Sequence, residues 1–150
     1  MAIAKGDTVA DFELPDQDGV PRRLSTLLAD GPVVLFFYPA AMTAGCTAEA
    51  CSFRDSYEDF QDAGAEVIGV SSDSASSHAK FAKRHKLPFT LLSDAKGDVR
   101  KKYGVPSTMG LLPGRVTFVI DKKGVVRHVF NSQLQATRHV SEALAALEKR

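Results

Sequence analysis

The chain has 150 residues, enough for one domain with a substantial apolar core, and we expect residues 1–150 to form a single domain. Its 19 basic and 18 acidic residues give a formal net charge of +1, which excludes the strongly basic surface typical of proteins that bind nucleic acids or anionic membranes. Two cysteines are too few for the disulfide framework of a small secreted protein.

The targeting features of the sequence favour the cytoplasm. The N-terminus carries no apolar stretch of the kind that secretory signal peptides contain. No apolar run approaches the roughly 20 residues that a helix needs to cross a bilayer. We therefore predict a cytoplasmic protein, and in such a reducing compartment a pair of cysteines is more often catalytic than structural.

The first elements of the chain are short. Residues 11–14 alternate between polar and apolar, which indicates a brief strand. Residues 15–19, Pro-Asp-Gln-Asp-Gly, are typical of a turn, and we interpret them as the tip of a β-hairpin. Residues 24–28 then predict one helical turn before the chain enters its core.

An unbroken run of apolar and aromatic residues at 33–38 predicts a strand that is covered on both faces. Pro39 ends this strand because proline has no N–H to donate to a neighbouring strand. Thr43 is suited to cap the N-terminus of a helix. That helix is predicted to continue to about Asp62, because apolar residues recur at helical spacing at Ala50, Phe53, Tyr57 and Phe60.

Both cysteines lie in this predicted helix. Cys46 falls in the first turn, where unpaired N–H groups and the helix dipole favour the thiolate over the thiol. Cys51 is five residues further on, which in a helix means a rise of about 7.5 Å and a rotation of about 140°. A disulfide needs Cα atoms within roughly 7 Å and converging Cβ atoms. The two cysteines therefore either never pair, or pair only when the first turns unwind.

The middle of the chain predicts a parallel β-α-β unit. Residues 65–70 form a second core strand, and a crossover as long as a helix separates it from the first. A helix is predicted over residues 75–85, followed by an extended segment at 87–92 that Pro88 interrupts. A short helix over residues 98–103 completes this part.

The C-terminal third predicts a β-β-α unit. A loop rich in glycine and proline covers residues 104–114, a strand covers 115–120, and residues 125–130 pair back with it as a hairpin. The last helix, residues 137–150, places Val140, Leu144 and Leu147 on one face. The order of elements predicts an α/β protein with a thioredoxin-like fold, in which helices flank a central mixed sheet, preceded by an N-terminal β-hairpin.

The segment around the first cysteine resembles the active-site motif of a known enzyme family. The pattern Pro39-x-x-x-Thr43-x-x-Cys46 is similar to the motif of the peroxiredoxins. The spacing from Cys46 to Cys51 resembles the subgroup called bacterioferritin comigratory protein or peroxiredoxin Q, and the likeness covers nearly the whole chain. One departure is Ala44, where the family usually has a proline that would stiffen the loop before the cysteine.

The resemblance implies a thiol-dependent peroxidase with an antioxidant role. Cys46 would be the peroxidatic cysteine, oxidised to a sulfenic acid, and Cys51 the resolving cysteine that forms an intramolecular disulfide with it. The substrates would be hydrogen peroxide and organic hydroperoxides, and thioredoxin or a similar dithiol protein would reduce the disulfide. The family needs no cofactor and no metal, and the subgroup is commonly monomeric, with a weak dimer as the alternative.

The resemblance also assigns roles to residues around Cys46. The Thr43 hydroxyl and the Cys46 backbone N–H would bind the peroxide, Pro39 would shield the thiol, and Arg115 would favour the thiolate and orient the peroxide oxygens. Glu49 would hold Arg115 in place through a charge-assisted hydrogen bond. From the residues alone, Thr43 is a helix cap under either interpretation, and a solvated strand-end charge is the favoured role of Arg115. The simpler role of Glu49 is that of a first-turn acid that suits the helix dipole.

The sequence also allows functions other than a peroxidase. A redox-sensing or relay protein would pass its oxidation to a partner rather than turn over peroxide. A thioredoxin-fold disulfide oxidoreductase is disfavoured because Cys-x₄-Cys cannot close a disulfide without unwinding. A zinc site needs four ligands and no histidine adjoins the two cysteines. We interpret the four histidines, His78, His85, His128 and His139, as surface residues.

Overall fold

The computed structural model describes residues 3–38, 44–105, 107–108, 112–113, 115–131 and 138–148. The helices and strands in these ranges are, in chain order, β1 (Glu13–Pro15), β2 (Pro21–Arg23), α1 (Leu24–Leu28), β3 (Val33–Phe37), α2 (Ala44–Asp55), α3 (Tyr57–Asp62), β4 (Glu66–Ser71), α4 (Ala75–His85), β5 (Thr90–Ser93), α5 (Asp98–Lys102), β6 (Ser107–Thr108), β7 (Leu112–Pro113), β8 (Val116–Ile120), β9 (Val126–Asn131) and α6 (Arg138–Glu148). No helix among these is long and apolar enough to cross a membrane.

The predicted N-terminal hairpin is present as the antiparallel pair of β1 and β2. Asp16 organises its turn, because one carboxylate oxygen accepts the backbone N–H groups of Asp18 at 2.9 Å and Val20 at 3.0 Å. The other carboxylate oxygen accepts from Arg22 Nε at 2.9 Å. A short aspartate side chain that bonds to nearby backbone is a common way to fix such a turn.

Five strands form the central sheet in the order β5-β4-β3-β8-β9. The pairs β3–β4 and β4–β5 are parallel, whereas β3–β8 and β8–β9 are antiparallel, so the sheet is mixed as predicted. Every residue of β3 is buried, which confirms the strand covered on both faces. Successive side chains of β3 point to opposite faces of the sheet and enter two separate apolar clusters.

Helices cover both faces of this sheet. On one face the helices α2, α4 and α6 contribute buried apolar side chains that include Phe53, Phe81 and Leu147. On the other face α1 and α5 do the same through Leu24 and Val99. This arrangement confirms the predicted mixed sheet between two layers of helices.

The long helix predicted up to Asp62 is instead two helices, α2 and α3, with a break at Ser56. The backbone of Ser56 has φ −104° and ψ 8°, outside the helical range. In one straight helix, Phe53 and Phe60 would be separated by about 10.5 Å of rise. Across the break their ring centroids lie 5.6 Å apart and both rings are fully buried. The break therefore brings the two aromatic rings into direct contact within one apolar cluster.

The glycine- and proline-rich loop predicted at 104–114 contains two short strands. β6 and β7 pair antiparallel, with Ser107 opposite Pro113 and Thr108 opposite Leu112. Pairs of two residues are too short to produce a readable alternation of polar and apolar residues, so the pattern did not predict them.

Close packing between α2 and the sheet fixes the position of the helix that carries the cysteines. The rings of Phe36 on β3 and Phe53 on α2 stack with centroids 4.5 Å apart and an angle of 18° between planes. Gly69, paired with Phe36 on β4, leaves room for this ring. A Cβ atom at Gly69 would lie 2.8 Å from both Phe36 and Leu91, so only glycine fits there without displacement.

Candidate active site

Cys46 is the third residue of α2, in the first helical turn as predicted. The residue is 1% exposed. Cys51 lies on the same continuous helix and is half-buried, and both cysteines are free thiols. A helix that is continuous through both residues keeps their sulfur atoms on different faces. The structure therefore describes the state in which the two cysteines cannot pair.

Arg115 reaches Cys46 because of the antiparallel pairing between β3 and β8. Val116 pairs with Phe37, so Arg115 lies at the end of β3 where the chain leads towards α2. Its Nη2 atom donates to Cys46 Sγ at 3.4 Å, and its guanidinium is almost fully buried. A fixed positive charge at this distance from sulfur favours negative charge on that sulfur.

Glu49 holds the other side of the same guanidinium. It lies three residues after Cys46, so both side chains project from one face of α2. Its Oε1 atom accepts from Arg115 Nη1 at 2.6 Å, and the carboxyl group is fully buried. The structure thus brings together three of the predicted site residues in the line Cys46–Arg115–Glu49.

Burial and charge act against each other in this line. Burial raises the pKa of Glu49 to about 8, although the charge and hydrogen bond of Arg115 oppose the rise. Burial lowers the pKa of Arg115, but the nearby Glu49 and Cys46 outweigh this and raise it above its ordinary value. Arg115 therefore stays charged, and one buried cation faces two acidic groups.

Two predicted site residues, Pro39 and Thr43, lie outside the described residues. Their roles in shielding the thiol and binding peroxide stay predictions. In the described part of the chain, no group of three or more histidine, cysteine or acidic side chains is placed to hold a metal ion.

His139 was not predicted as a site residue, and its prediction as a surface residue is wrong. It lies on α6 and is fully buried. Its Nδ1 atom is 2.7 Å from the Thr117 hydroxyl and 3.5 Å from Glu49 Oε2. A signal was present in the sequence, since His139 precedes Val140 by one residue and Ala143 by four, both on the buried face of α6.

His78 is also fully buried, contrary to prediction, and belongs to a second polar cluster. The Tyr38 hydroxyl is 2.9 Å from its Nδ1, and the Ser71 hydroxyl is 3.3 Å from its Nε2. Ser71 in turn donates to Asp73 at 2.6 Å. Burial lowers the pKa of His78, so its ring is neutral at pH 7. The remaining two histidines, His85 and His128, are half-buried.

Comparison with known proteins decides what this arrangement is. The model of the AhpC/TSA family matches residues 5–129, most of the chain. The chain belongs to the AhpC/TSA family. Its relatives include the chloroplastic peroxiredoxin Q of Sedum lineare, 55% identical over 147 residues that cover 97% of this chain and 78% of the relative. The chloroplastic peroxiredoxin Q of Triticum aestivum is 54% identical, covering 97% and 67%.

Solved structures agree with the sequence relatives. Peroxidoxin BcpB from Mycobacterium tuberculosis has a TM-score of 0.91 and 52% identity, covering 97% of this chain and 96% of that one. Peroxiredoxin Q from Xanthomonas campestris has a TM-score of 0.84 and 30% identity, covering 93% and 90%. The resemblance drawn from the motif and the thioredoxin-like fold are both confirmed.

This peroxiredoxin is therefore an enzyme of the thiol-dependent peroxidase class, and the relay alternative is not favoured. In the line Cys46–Arg115–Glu49, the structure places a buried cation between the thiol and a buried carboxyl group. The peroxide must be attacked by a thiolate, and the arginine supplies a buried positive charge beside that sulfur.

Proposed function

We propose that this enzyme reduces hydrogen peroxide and organic hydroperoxides at Cys46. The thiolate attacks the terminal peroxide oxygen, an S–O bond forms, and the O–O bond breaks. The departing oxygen takes up a proton and leaves as water or alcohol, and Cys46 becomes a sulfenic acid. The observation that carries this proposal is the buried hydrogen bond from Arg115 to Cys46 Sγ.

Negative charge moves from sulfur to the departing oxygen during this step. A preorganised donor beside both atoms lowers the barrier most, because it needs no rearrangement as the charge moves. The proposal gives this role to Arg115, held by Glu49. It gives Thr43 and the Cys46 backbone N–H the binding of the peroxide, and gives Pro39 the exclusion of water.

The second step of the proposal is condensation between Cys46 and Cys51. The Cys51 thiol attacks the sulfenic sulfur, a disulfide forms, and water leaves. Because both residues are helical in the reduced enzyme, the first turns of α2 must unwind for this to happen. The half-buried position of Cys51 supports its role, since a small opening of the helix exposes it.

The third step is reduction of that disulfide by an external dithiol protein such as thioredoxin. The proposal places the enzyme in the cytoplasm, where such dithiols are kept reduced, whereas the plant relatives are chloroplastic. It treats the chain as one domain that acts as a monomer, with a weak dimer as the alternative. Organic substrates are included because the related bacterioferritin comigratory protein of Xanthomonas campestris, 28% identical, has alkyl peroxide reduction activity.

The experiment that tests the proposal is stopped-flow oxidation of the reduced enzyme by substoichiometric hydrogen peroxide, followed by the mass of the product. We expect fast oxidation and the loss of two hydrogen atoms. Cys46→Ser should abolish peroxide consumption, and Cys51→Ser should stop at the sulfenic acid. Oxidation no faster than that of an ordinary free thiol would refute the peroxidase mechanism. An oxidised enzyme with both cysteines that gains oxygen but forms no internal disulfide would refute the resolving role of Cys51.

A further inference from the structure

The peroxidase mechanism leaves one buried titratable group at the site without a task. His139 reaches the site from α6 and brings Nδ1 to 3.5 Å from Glu49 Oε2. Among the residues that the structure describes, Oε2 has no hydrogen-bond partner at ordinary distance. A buried carboxylate oxygen facing an imidazole nitrogen in this way is a place where a proton can be held.

We propose that His139 is a positioning residue that acts through Glu49, and that these two side chains together retain the proton that Cys46 loses on becoming a thiolate. The inference rests on the proposed function of Cys46 and Arg115. It adds a role for α6, which carries none of the residues that the motif assigns to the reaction.

A count of charges gives the reason. With a thiol at Cys46 and an ionised carboxylate at Glu49, the charges on Arg115 and Glu49 cancel and the buried cluster is neutral. With a thiolate, the cluster would carry one uncompensated negative charge, which is costly where no water can solvate it. If the Glu49–His139 pair gains one proton as the sulfur loses one, the cluster stays neutral and Arg115 is free to stabilise the sulfur.

The contacts of the His139 ring are compatible with a proton on Nδ1 and with a proton on Glu49 instead. Thr117 lies 2.7 Å from Nδ1, and its hydroxyl can donate to a bare Nδ1 or accept from a protonated one. The rings of His139 and Phe130 pack edge to face, with centroids 4.7 Å apart and an angle of 83° between planes, which restrains the orientation of the imidazole. Burial raises the pKa of Glu49 above its ordinary value, which favours a proton on this carboxyl group.

The groups described in contact with His139 come from the helix and the two strands packed on α6. Glu49 faces it from α2 and the Thr117 hydroxyl faces it from β8. From β9 the facing group is the uncharged Phe130, and on α6 itself the guanidinium of Arg138 lies over that phenyl ring. The acidic member closest to the histidine is therefore Glu49, through which the proposed effect must pass.

The sulfenic acid step is balanced in this scheme. The thiolate forms its bond to the terminal oxygen, the departing alkoxide or hydroxide takes up one proton, and the Glu49–His139 pair returns to the charge it had with the thiol. The cluster is neutral before and after, and no reactant other than the peroxide is needed.

The test measures the thiolate without peroxide, so that it does not depend on turnover. Ultraviolet thiolate absorbance of Cys46 is followed against pH in a Cys51→Ser protein and compared with the same protein carrying His139→Phe or His139→Asn. Phenylalanine keeps the ring without nitrogen, and asparagine keeps a polar group that cannot take up a proton. We expect both to move the pH midpoint of the signal upward by about one unit, a tenfold loss of thiolate below the midpoint.

The same titration in a Glu49→Gln background shows whether His139 acts through Glu49. Because glutamine cannot exchange a proton, replacing His139 there should produce no additional shift. His78→Phe is the matched control, since it removes the other fully buried histidine and should leave the midpoint unchanged. If neither His139 variant folds, Thr117→Val, which loses only the contact to Nδ1, should give a smaller shift in the same direction.

The outcomes separate this inference from the peroxidase mechanism. An unchanged midpoint in the folded variants would overturn the inference, as would an equal shift with and without Glu49. An upward shift in a protein that consumes no peroxide would uphold the inference and overturn the peroxidase mechanism instead.

Discussion

The two fully buried histidines of this protein are alike in position and different in surroundings. His78 on α4 and His139 on α6 lie on the same side of the sheet, and each has Nδ1 within 2.9 Å of a hydroxyl group. That hydroxyl belongs to Tyr38 in one case and to Thr117 in the other. Burial and hydrogen bonding alone therefore do not distinguish the two rings.

The next group along each network makes the difference. Behind His78 the second contact is another hydroxyl, that of Ser71, which stands between the ring and the carboxylate of Asp73. Behind His139 the second contact is the carboxyl group of Glu49, which is bound to Arg115 and through it to Cys46. The His78 network links α4 to β4. The proposed role of the His139 network is to take up and release a proton at Glu49.

The largest effect is expected from removing the cation that this second network surrounds. Arg115→Met should slow oxidation of Cys46 by about 10²–10³-fold, the usual cost of losing one preorganised donor. The matched control is Arg100→Met, since Arg100 is also buried but lies on α5 at the opposite face of the sheet. Stopped-flow oxidation checks both. Lost stability with a normal rate in Arg115→Met would show a purely structural arginine.

The second prediction concerns how stability depends on pH at Glu49. Its pKa rises from 4.5 to about 8 on folding, so the native state holds an extra proton between these values. Stability should therefore fall as pH rises through this window, by on the order of 3 kcal/mol. Urea unfolding of Cys46→Ser from pH 5 to 8 measures this slope without thiol titration. Glu49→Gln in the same background should flatten it, and an unchanged slope would place the titrating group elsewhere.

The third prediction is that His78 makes stability depend on pH with the opposite sign and a smaller slope than Glu49 does. Burial lowers its pKa from 6.5, so the unfolded chain binds the proton more readily than the native state. Stability should be lost as pH falls below 6.5, and His78→Phe should remove that loss. Unfolding curves between pH 5 and 7 provide the check, and the oxidation rate of the variant should match that of the parent protein. A changed rate would mean that the two networks are coupled.

The smallest effect is expected at a third histidine, His128, where water competes with the protein for the hydrogen bonds of the side chain. His128 contacts Glu142 at 2.9 Å, but about a third of each side chain is exposed. His128→Gln should lower the free energy of unfolding by less than about 1 kcal/mol. In an exposed pair, solvent screening and the loss of side-chain entropy offset most of the attraction between the two groups. Chemical unfolding in low salt is the most sensitive measurement. A cost comparable to that at the buried histidines would mean that burial does not control these contacts.

Local signals explain why some elements could be predicted closely. The helix expected at 75–85 is observed as Ala75–His85, because both of its ends are set by neighbouring residues. Ser74 accepts from the backbone N–H of Ser77 at 3.2 Å and caps the start. Lys86 adopts the left-handed conformation, with φ 52°, and ends the helix.

The site itself needed contacts that no local pattern contains. Arg115 and Cys46 are 69 residues apart in sequence, and residue types alone favoured a solvated charge for this arginine. The family motif, not periodicity, brought them together. The polar character of His78 and His139 concealed their place on buried helix faces, since the buried partners that satisfy them lie on other elements. The break at Ser56 could not be predicted either, because it is stabilised by a tertiary contact, the packing of Phe60 against Phe53.

The aromatic stack between Phe36 and Phe53 sets a limit on where the oxidised enzyme can present its disulfide. Phe53 follows Cys51 by two residues, so unwinding that begins at the start of α2 would stop at the ring that is stacked on the sheet. Once the disulfide has formed, its tether to the anchor is the chain from Cys51 to Phe53, which spans at most about 7 Å between Cα atoms. The disulfide thus stays within that radius of a fixed anchor, and a reducing partner must approach the surface above α2 to reach it.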